Sequence, residues 1–232
     1  MFKRPLVTWL LLLVGISAVA LWWFQGPIAL EVARRVATQK MNANAIRDLP
    51  DGLHVGLCGA GSPFPDDLRS GPCTLVVAGK RLLVFDTGTS SARQIGRMGF
   101  WLGDIEAVFL THFHSDHIGG LGELMLQRWL QGGHAKPLPV HGPVGVAEVV
   151  HGFDQAYRQD QGYRVEHHGD KWLPAAGFGA TPLPYALPEK GTVTVLKEGD
   201  LEVVAFAVNH APIHPAVGYR IRYKDRTVVL SG

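Results

Sequence analysis

The chain has 232 residues, of which 47% are hydrophobic and 18% are charged, so one globular domain or a small two-part domain is expected. Its 28 glycines and 15 prolines favour many turns and argue against a helical bundle. With 22 basic and 20 acidic residues, the formal net charge of +2 is too small to indicate a nucleic-acid-binding protein by itself.

The N-terminal segment carries no charge from Pro5 to Leu30. Its apolar run, Leu6 to Phe24, would span ~28 Å as a helix, close to the ~30 Å hydrocarbon core of a bilayer. Trp22 and Trp23 suit the aromatic belt at a membrane surface. This pattern predicts a membrane anchor.

A cleaved signal peptide is the alternative interpretation, because Ala18-Val19-Ala20 resembles a small-residue cleavage site. We favour an uncleaved anchor, since the apolar run continues past that point. Lys3 and Arg4 precede the run, and this export-signal shape favours a body outside the cytoplasm. We therefore expect a membrane-anchored protein with a periplasmic or other extracytoplasmic body.

The chain is expected to divide into an anchor or signal segment (1–28), a juxtamembrane linker or helix (29–51) and a globular domain (52–232). The globular part begins with a strand, LHVGLCGAGS, that runs into a glycine-rich turn. Next comes a predicted hairpin, CTLVVAGKRLLVFDTG, with its turn at Gly79-Lys80. Cys58 and Cys73 each lie beside a turn at the edge of a predicted strand. The sequence leaves open whether they form a disulfide or are small apolar strand residues.

Later elements alternate between helices and strands. We expect helices over Ser90 to Phe100, Gly120 to Leu130 and Val144 to Tyr157, and irregular chain from Asp160 to Lys190. Strands are predicted at AVFLT and PLPVHGP, followed by two hairpins, TVTVLKEGDLEVVAFAVNH and GYRIRYKDRTVVLSG. This order predicts a layered α/β fold, in which strand ends are natural places for a site.

The chemistry is concentrated in THFHSDH, directly after the predicted strand Ala107 to Thr111. Residues two apart in extended chain share a side, so His112 and His114 can reach one ion. Asp116 and His117 follow in a turn that can direct them to a second ion. Imidazole and carboxylate ligands suit zinc, with iron or manganese as alternatives. The alternative interpretation is a solvated histidine-rich loop without a metal role, but HxHxDH at the end of a buried strand is more specific for a metal site.

The sequence resembles the metallo-β-lactamase-fold hydrolases, whose motif is THxHxDH. LCGAGSP, VFDTG, VNHAPIHPAVGY and TVVLSG match further motifs of that family, and GSPxP, THFHSDHIGGLGEL and PAVGYR are most similar to its ribonuclease Z and arylsulfatase-like branch. The resemblance covers residues 52 to 232. It implies an αβ/βα four-layer sandwich, of which the second half is incomplete in this chain.

The resemblance also implies a set of metal ligands. His112, His114 and His210 would bind the first of two ions, and Asp116 and His117 would bind the second.

Four other side chains have less direct expectations. Asp86 would hold a ligand histidine or a metal-bound water by a hydrogen bond; the alternative is a turn aspartate that accepts backbone N–H bonds. His214 is expected at the rim of the pocket. His167 and His168 are substrate-facing candidates or parts of a surface turn.

The implied function is a zinc-dependent hydrolase whose two ions activate a bridging water to cleave phosphodiester or sulfate esters. Asp116 would orient or deprotonate that water. Three alternatives stay open: a ribonuclease Z-like tRNA 3′-processing enzyme, a thioester or lactone hydrolase, and an inactive anchored binding protein. Without a basic insertion for tRNA, we expect a small ester as substrate, nucleic acid as an unlikely partner, and a homodimer as an open alternative.

The resemblance implies two more ligands, an aspartate directly after the terminal Ser-Gly and a later histidine. Gly232 is the last residue, so we expect a fragment of a longer chain that is poorly active alone.

Overall fold

The computed structural model describes residues 4–42, 44–64, 66–188 and 191–232. The chain forms two compact units, Met1–Ala43 and Asn44–Gly232. Each unit is described by itself below, and the expected division at residues 28 and 51 stays a prediction.

The first unit is a single helix, α1 (Arg4–Asn42), which includes Pro27. The apolar run continues in this helix into a charged stretch, where Glu31 pairs with Arg34 and Arg35. Across the described residues, no helix combines the length and apolar character needed to cross a membrane. On this finding, the prediction of a membrane-anchored, extracytoplasmic protein is wrong. Lys3 lies outside the described residues.

The second unit contains two sheets. Sheet A has six strands in the order β1 to β6, and sheet B has four in the order β10-β9-β8-β7. In sheet A, β1 to β3 are antiparallel and β3 to β6 are parallel, whereas sheet B is antiparallel throughout. The strands are β1 (Leu53–Gly59), β2 (Cys73–Ala78), β3 (Arg81–Phe85), β4 (Ile105–Phe109), β5 (Leu138–Pro143), β6 (Ala180–Tyr185), β7 (Thr192–Glu198), β8 (Leu201–Ala207), β9 (Val217–Tyr223) and β10 (Arg226–Leu230).

Helices precede β1 and connect the parallel strands. They are α2 (Ala45–Asp48), α3 (Ser91–Arg97), α4 (Ser115–Ile118), α5 (Leu121–Gly132) and α6 (Val146–His168), with single turns of 3₁₀ helix at Leu102–Asp104 and Ala175–Gly177.

Sheet A is buried on both faces because its side chains alternate between two cores. Val84 and Val108 pack with residues of α3, α5 and α6 on one face, whereas Phe85 and Phe109 pack between the two sheets on the other. Central strands buried on both sides read as continuous apolar runs, as AVFL does. The layers confirm the predicted α/β fold class.

Residues 160–188 are more regular than predicted, and the last two residues of the predicted irregular segment, 189 and 190, lie outside the described residues. Helix α6 continues to His168, stabilised by an Arg164–Asp160 pair at 2.7 Å, and ends at Gly169 with a positive φ of 82°. The prolines of β6 hide a strand in the sequence, because proline cannot donate to a ladder; β6 tolerates them at the edge of sheet A.

A disulfide joins Cys58 at the end of β1 to Cys73 at the start of β2. Both residues are buried, and the bond closes the loop of residues 59–72. The question left open by the sequence is resolved in favour of pairing.

Replacing both cysteines (Cys58→Ala with Cys73→Ala) should lower the free energy of unfolding by about 3 kcal/mol, because a loop of this length is no longer closed in the unfolded chain. Denaturant unfolding under non-reducing conditions measures the loss. Reducing the wild-type protein should bring it to the stability of the double variant, and equal stability of oxidised wild type and variant would contradict the disulfide.

His141 in β5 is buried and stacks on Phe109, with ring centroids 4.6 Å apart. Burial lowers the pKa of His141 to about 4 from 6.5. Its neutral form is therefore required in the core, and its contribution to stability is complete above the unfolded-state pKa of about 6.5 and is lost as the pH falls towards 4.

The His141→Phe variant should therefore resist acid better than the wild type. From about pH 7 to about pH 5, the wild type should lose about 2 kcal/mol more unfolding free energy than the variant. Denaturant titrations at the two pH values provide the comparison, and parallel losses in both proteins would show that His141 is not buried in neutral form.

Candidate metal centre

The site forms where two neighbouring parallel strands end. Asp86 follows β3 and Thr111 lies two residues after β4, and the amide of Asp86 donates to the carbonyl of Phe109 at 2.9 Å. Asp86 has a positive φ of 57°, a conformation that aspartate tolerates better than most residues. This turn directs its carboxylate towards the end of β4.

The buried carboxylate of Asp86 accepts three hydrogen bonds. Its Oδ1 accepts from the Thr111 amide at 2.8 Å, and its Oδ2 accepts from Thr111 Oγ1 and from His117 Nδ1, each at 2.8 Å. Because Nδ1 of His117 carries this proton, its Nε2 is left with a free lone pair. Asp86 therefore fixes the ring of His117 and selects its tautomer. This contact agrees with the role expected from the resemblance.

Thr111 in turn fixes the tautomer of His112. The Thr111 hydroxyl donates to Asp86, so it accepts from His112 Nδ1, which lies 3.0 Å away. The Nε2 of His112 is then unprotonated and faces Nδ1 of His114 at 3.0 Å. Burial, and next the neighbouring His117, lower the pKa of His112 to about 4. His112 is thus neutral at physiological pH, as a metal ligand must be.

Three histidines converge at this point. The ligand atoms of His112, His114 and His210 all lie within 4.8 Å of one another. The 3.0 Å between the facing nitrogens of His112 and His114 is close to the ~3.3 Å expected for two nitrogens on one tetrahedral zinc. The donor set and its geometry therefore fit a divalent metal, as predicted.

His210 reaches the cluster from the other sheet. It lies in the turn after β8, where its carbonyl accepts from the amide of Ile213 at 2.8 Å. The turn is held against the motif because the Val217 amide at the start of β9 donates to the carbonyl of Thr111 at 3.0 Å.

A fully buried tyrosine adds a second bond between the sheets. The hydroxyl of Tyr219 donates to the carbonyl of Leu110 at 2.7 Å, and Tyr185 donates to Tyr219 at 2.7 Å. Burial raises the pKa of Tyr219, which keeps it a donor. Neither Tyr219 nor Thr111 was assigned a role from the sequence, although Thr111 stands inside the motif.

The second predicted pair lies beside the cluster. Asp116 and His117 are in α4, with Nε2 of His117 3.8 Å from Oδ2 of Asp116. The ring of His117 is 4.0 Å from that of His112 between centroids. The free lone pair of His117 and the carboxylate of Asp116 thus form a second group of metal-binding atoms next to the first.

Close backbone packing holds this pair in place. The carbonyl of His117 accepts from the Thr87 amide at 2.7 Å, and a Cβ at Gly71 would lie 2.8 Å from the carbonyl oxygen of Asp116. At Gly88 a Cβ would overlap the backbone of Gly71. The glycine of the VFDTG motif is therefore required by close approach of three backbone segments.

Two cavities adjoin the centre. One of about 260 Å³ lies beside His112 and His210. The other, of about 800 Å³, lies beside Asp116, between the loop closed by the disulfide and helix α3. Its lining includes three arginines (Arg69, Arg93 and Arg97) and two aspartates (Asp66 and Asp67).

The remaining candidates are not in this cluster. His167 and His168 are exposed at the C-terminal end of α6, not in the irregular loop that the sequence predicted, and their rings contact each other. His214 is exposed in the turn that carries His210. Their roles stay predictions.

The fold and the histidine cluster together define the class of protein. Residues 66–232 match the Metallo-beta-lactamase superfamily, and the chain belongs to that superfamily of metal-dependent hydrolases.

Relatives within the superfamily point to one branch. The chain is 36% identical over 182 residues to the ribonuclease Z of Mycolicibacterium gilvum, covering 78% of this chain and 61% of that protein. Identity to the ribonuclease Z of Mycobacterium bovis BCG is also 36%, covering 78% and 62%. The chain thus spans about three fifths of the length of these relatives. The ribonuclease Z side of the resemblance is supported.

Solved structures are similar in fold. The short form of human tRNase Z superposes with a TM-score of 0.57 at 23% identity, over 77% of this chain and 68% of that one. The metallo-beta-lactamase fold protein YhfI of Bacillus subtilis gives 0.52 at 20% identity, over 78% and 61%. With ribonucleases among the relatives, the prediction that nucleic acid is an unlikely partner is wrong.

The Asp86→Asn variant should bind metal roughly 10- to 100-fold more weakly, because the amide no longer fixes His117 and Thr111 as the carboxylate does. Titration against a chelator of known zinc affinity, together with elemental analysis, measures the change. Asp200→Asn, an exposed carboxylate in the turn between β7 and β8, is the matched control and should bind metal normally. Unchanged affinity in a folded Asp86→Asn protein would show that the carboxylate does not order the ligands.

Proposed function

We propose that this chain carries the metal site of a ribonuclease Z-like endoribonuclease, which cleaves a phosphodiester bond at the 3′ side of tRNA precursors. The observation that carries the proposal is the convergence of His112, His114 and His210 beside Asp116 and His117, in a chain 36% identical to ribonucleases Z. A small phosphodiester or sulfate ester, the substrate class expected from the sequence, needs the same chemistry but is not favoured by the ribonucleases Z described above.

In this proposal His112, His114 and His210 hold one divalent ion, and Asp116 and His117 contribute to a second. Nitrogen and carboxylate donors in this ratio suit zinc. Bound ions would supply a water of lowered pKa and Lewis-acid polarisation of the phosphate oxygen.

The protein's own groups prepare the reaction. Asp116, which lies beside His117, would orient the attacking water and accept its proton. His112 is neutral, so no proton has to leave its ring before metal binds, and the hydrogen bond from His117 Nδ1 to Asp86 directs Nε2 of His117 to the metal side. The Asp86 carboxylate acts through these two rings and does not itself face the ion.

The cavity beside Asp116 supplies contacts for an RNA backbone. Arg69 and Arg97 form no ion pair with a described residue, so their guanidinium groups are available to phosphates; Arg93 pairs with Glu123 at the surface. Two aspartates on the same lining moderate the charge, and Asp66 is engaged with the amides of its own loop. A phosphodiester chain can thus enter next to the metal pair.

The test uses the purified protein after chelation and reconstitution with zinc, iron or manganese. A tRNA precursor with a 3′ trailer should be cleaved to one product on a denaturing gel, and His114→Ala should reduce the rate at least 100-fold. The exposed His151→Ala on α6 is the matched control and should cleave normally.

Parallel assays separate the alternatives. Turnover of bis(p-nitrophenyl) phosphate, an aryl sulfate, a thioester or a lactone without cleavage of the precursor would replace the ribonuclease proposal by the corresponding hydrolase. Metal binding without any turnover would leave the inactive binding protein.

A further inference from the structure

A cavity lies at the opposite end of sheet A from the metal centre. Its volume is about 1290 Å³, and it lies at the start of β4 and β5, where Ile105 and Pro139 line it. With a rise of ~3.3 Å per residue, the chain from Ile105 to His112 places it roughly 20 Å from the histidine cluster. Nothing in the hydrolytic chemistry uses this cavity.

A buried cation lies in its wall. Arg128 of α5 is only 7% exposed. Its Nε donates to the carbonyl of Ile105 at 2.8 Å and its Nη1 to the carbonyl of Lys136 at 3.2 Å. The Nη2 group makes no hydrogen bond to a described residue and is not fully enclosed, and Arg128 is among the residues that line the cavity.

Arg128 has no counter-ion among the described residues. Two carboxylates share the cavity lining, but Glu106 is paired with Arg81, and Asp104 accepts from Asn44. Accordingly burial alone lowers the pKa of Arg128, to about 10. A charge taken out of water with only neutral carbonyl partners is costly, and an anion beside it would offset that cost.

The other residues that line the cavity indicate which kind of anion would fit it. The walls are largely apolar, with Ile46, Pro137 and Leu183 beside the residues already named. Arg47 and Lys136 are exposed cations on the rim, whereas Lys80 is already saturated by the carbonyls of Ile46, Arg47 and Leu49. This combination suits a molecule with an apolar body and one charged head.

We propose that this cavity is a binding site for a small organic carboxylate, whose planar head pairs with the guanidinium of Arg128 and whose apolar part lies on the proline and leucine walls. A carboxylate is favoured because its planar oxygens match the guanidinium fork. The phosphates of an RNA helix would not reach a side chain this buried. The site is independent of the proposed nuclease function.

Binding is tested on the metal-loaded protein with 11-(dansylamino)undecanoate, a fluorescent acyl carboxylate, and with its methyl ester, which has the same fluorophore and chain and no carboxylate. The carboxylate should bind saturably and at least tenfold more tightly than the ester. Arg128→Lys, which keeps the charge and removes the fork, should weaken binding about tenfold or more. Lys136→Gln on the rim should weaken it about threefold and does not disturb the bonds of Arg128 to backbone carbonyls.

A matched control variant makes the result decisive. Arg226→Gln, an exposed cation outside the cavity, should bind the probe normally. If Arg128→Lys does not fold, the Lys136→Gln result decides. Equal binding of both probes, equal loss of binding in Arg226→Gln, or displacement of the probe by tRNA would each overturn the proposal.

Discussion

The carboxylate of Asp86 is the interaction on which the metal centre depends. It is buried, and all three of its hydrogen bonds go to the motif that follows β4. One carboxylate therefore sets the tautomer of His117 directly and that of His112 through Thr111. Because β3 and β4 are parallel neighbours, their two ends meet at one edge of sheet A. The pairing of these strands therefore fixes the position of Asp86 relative to Thr111, although the two residues are far apart in sequence.

Much of the centre could be predicted because its information is local. HxHxDH places four donors within six residues, and the strand before it fixes their directions. His210 required a resemblance, since 96 residues separate it from His114 and only the pairing of sheet B brings it back. Tyr219 carried no signal at all, because a buried hydroxyl that bonds a backbone carbonyl of another strand leaves no pattern in sequence.

The errors have physical causes as well. The apolar run of α1 was judged alone, although it is one part of a 39-residue helix that also carries Glu31 and two arginines. The lack of a basic insertion argued against RNA, but the fold gathers Arg69, Arg93 and Arg97 beside Asp116 from separate parts of the chain. Strand β6 was not predicted because it contains prolines. The last turns of α6 were not predicted because they contain a glycine and a charged end.

His112 and His114 belong to sheet A, whereas His210 belongs to the turn at the end of sheet B. An ion held by all three would therefore act as a clamp between the two layers, in addition to its chemistry. By mass action, whatever free energy the ion gains from that third ligand is also free energy that resists separation of the layers. Metal availability would then control the stability of the fold as well as the rate of catalysis. Loss of the ion would first weaken the contact between the two sheets at the hydrogen bonds that Val217 and Tyr219 donate.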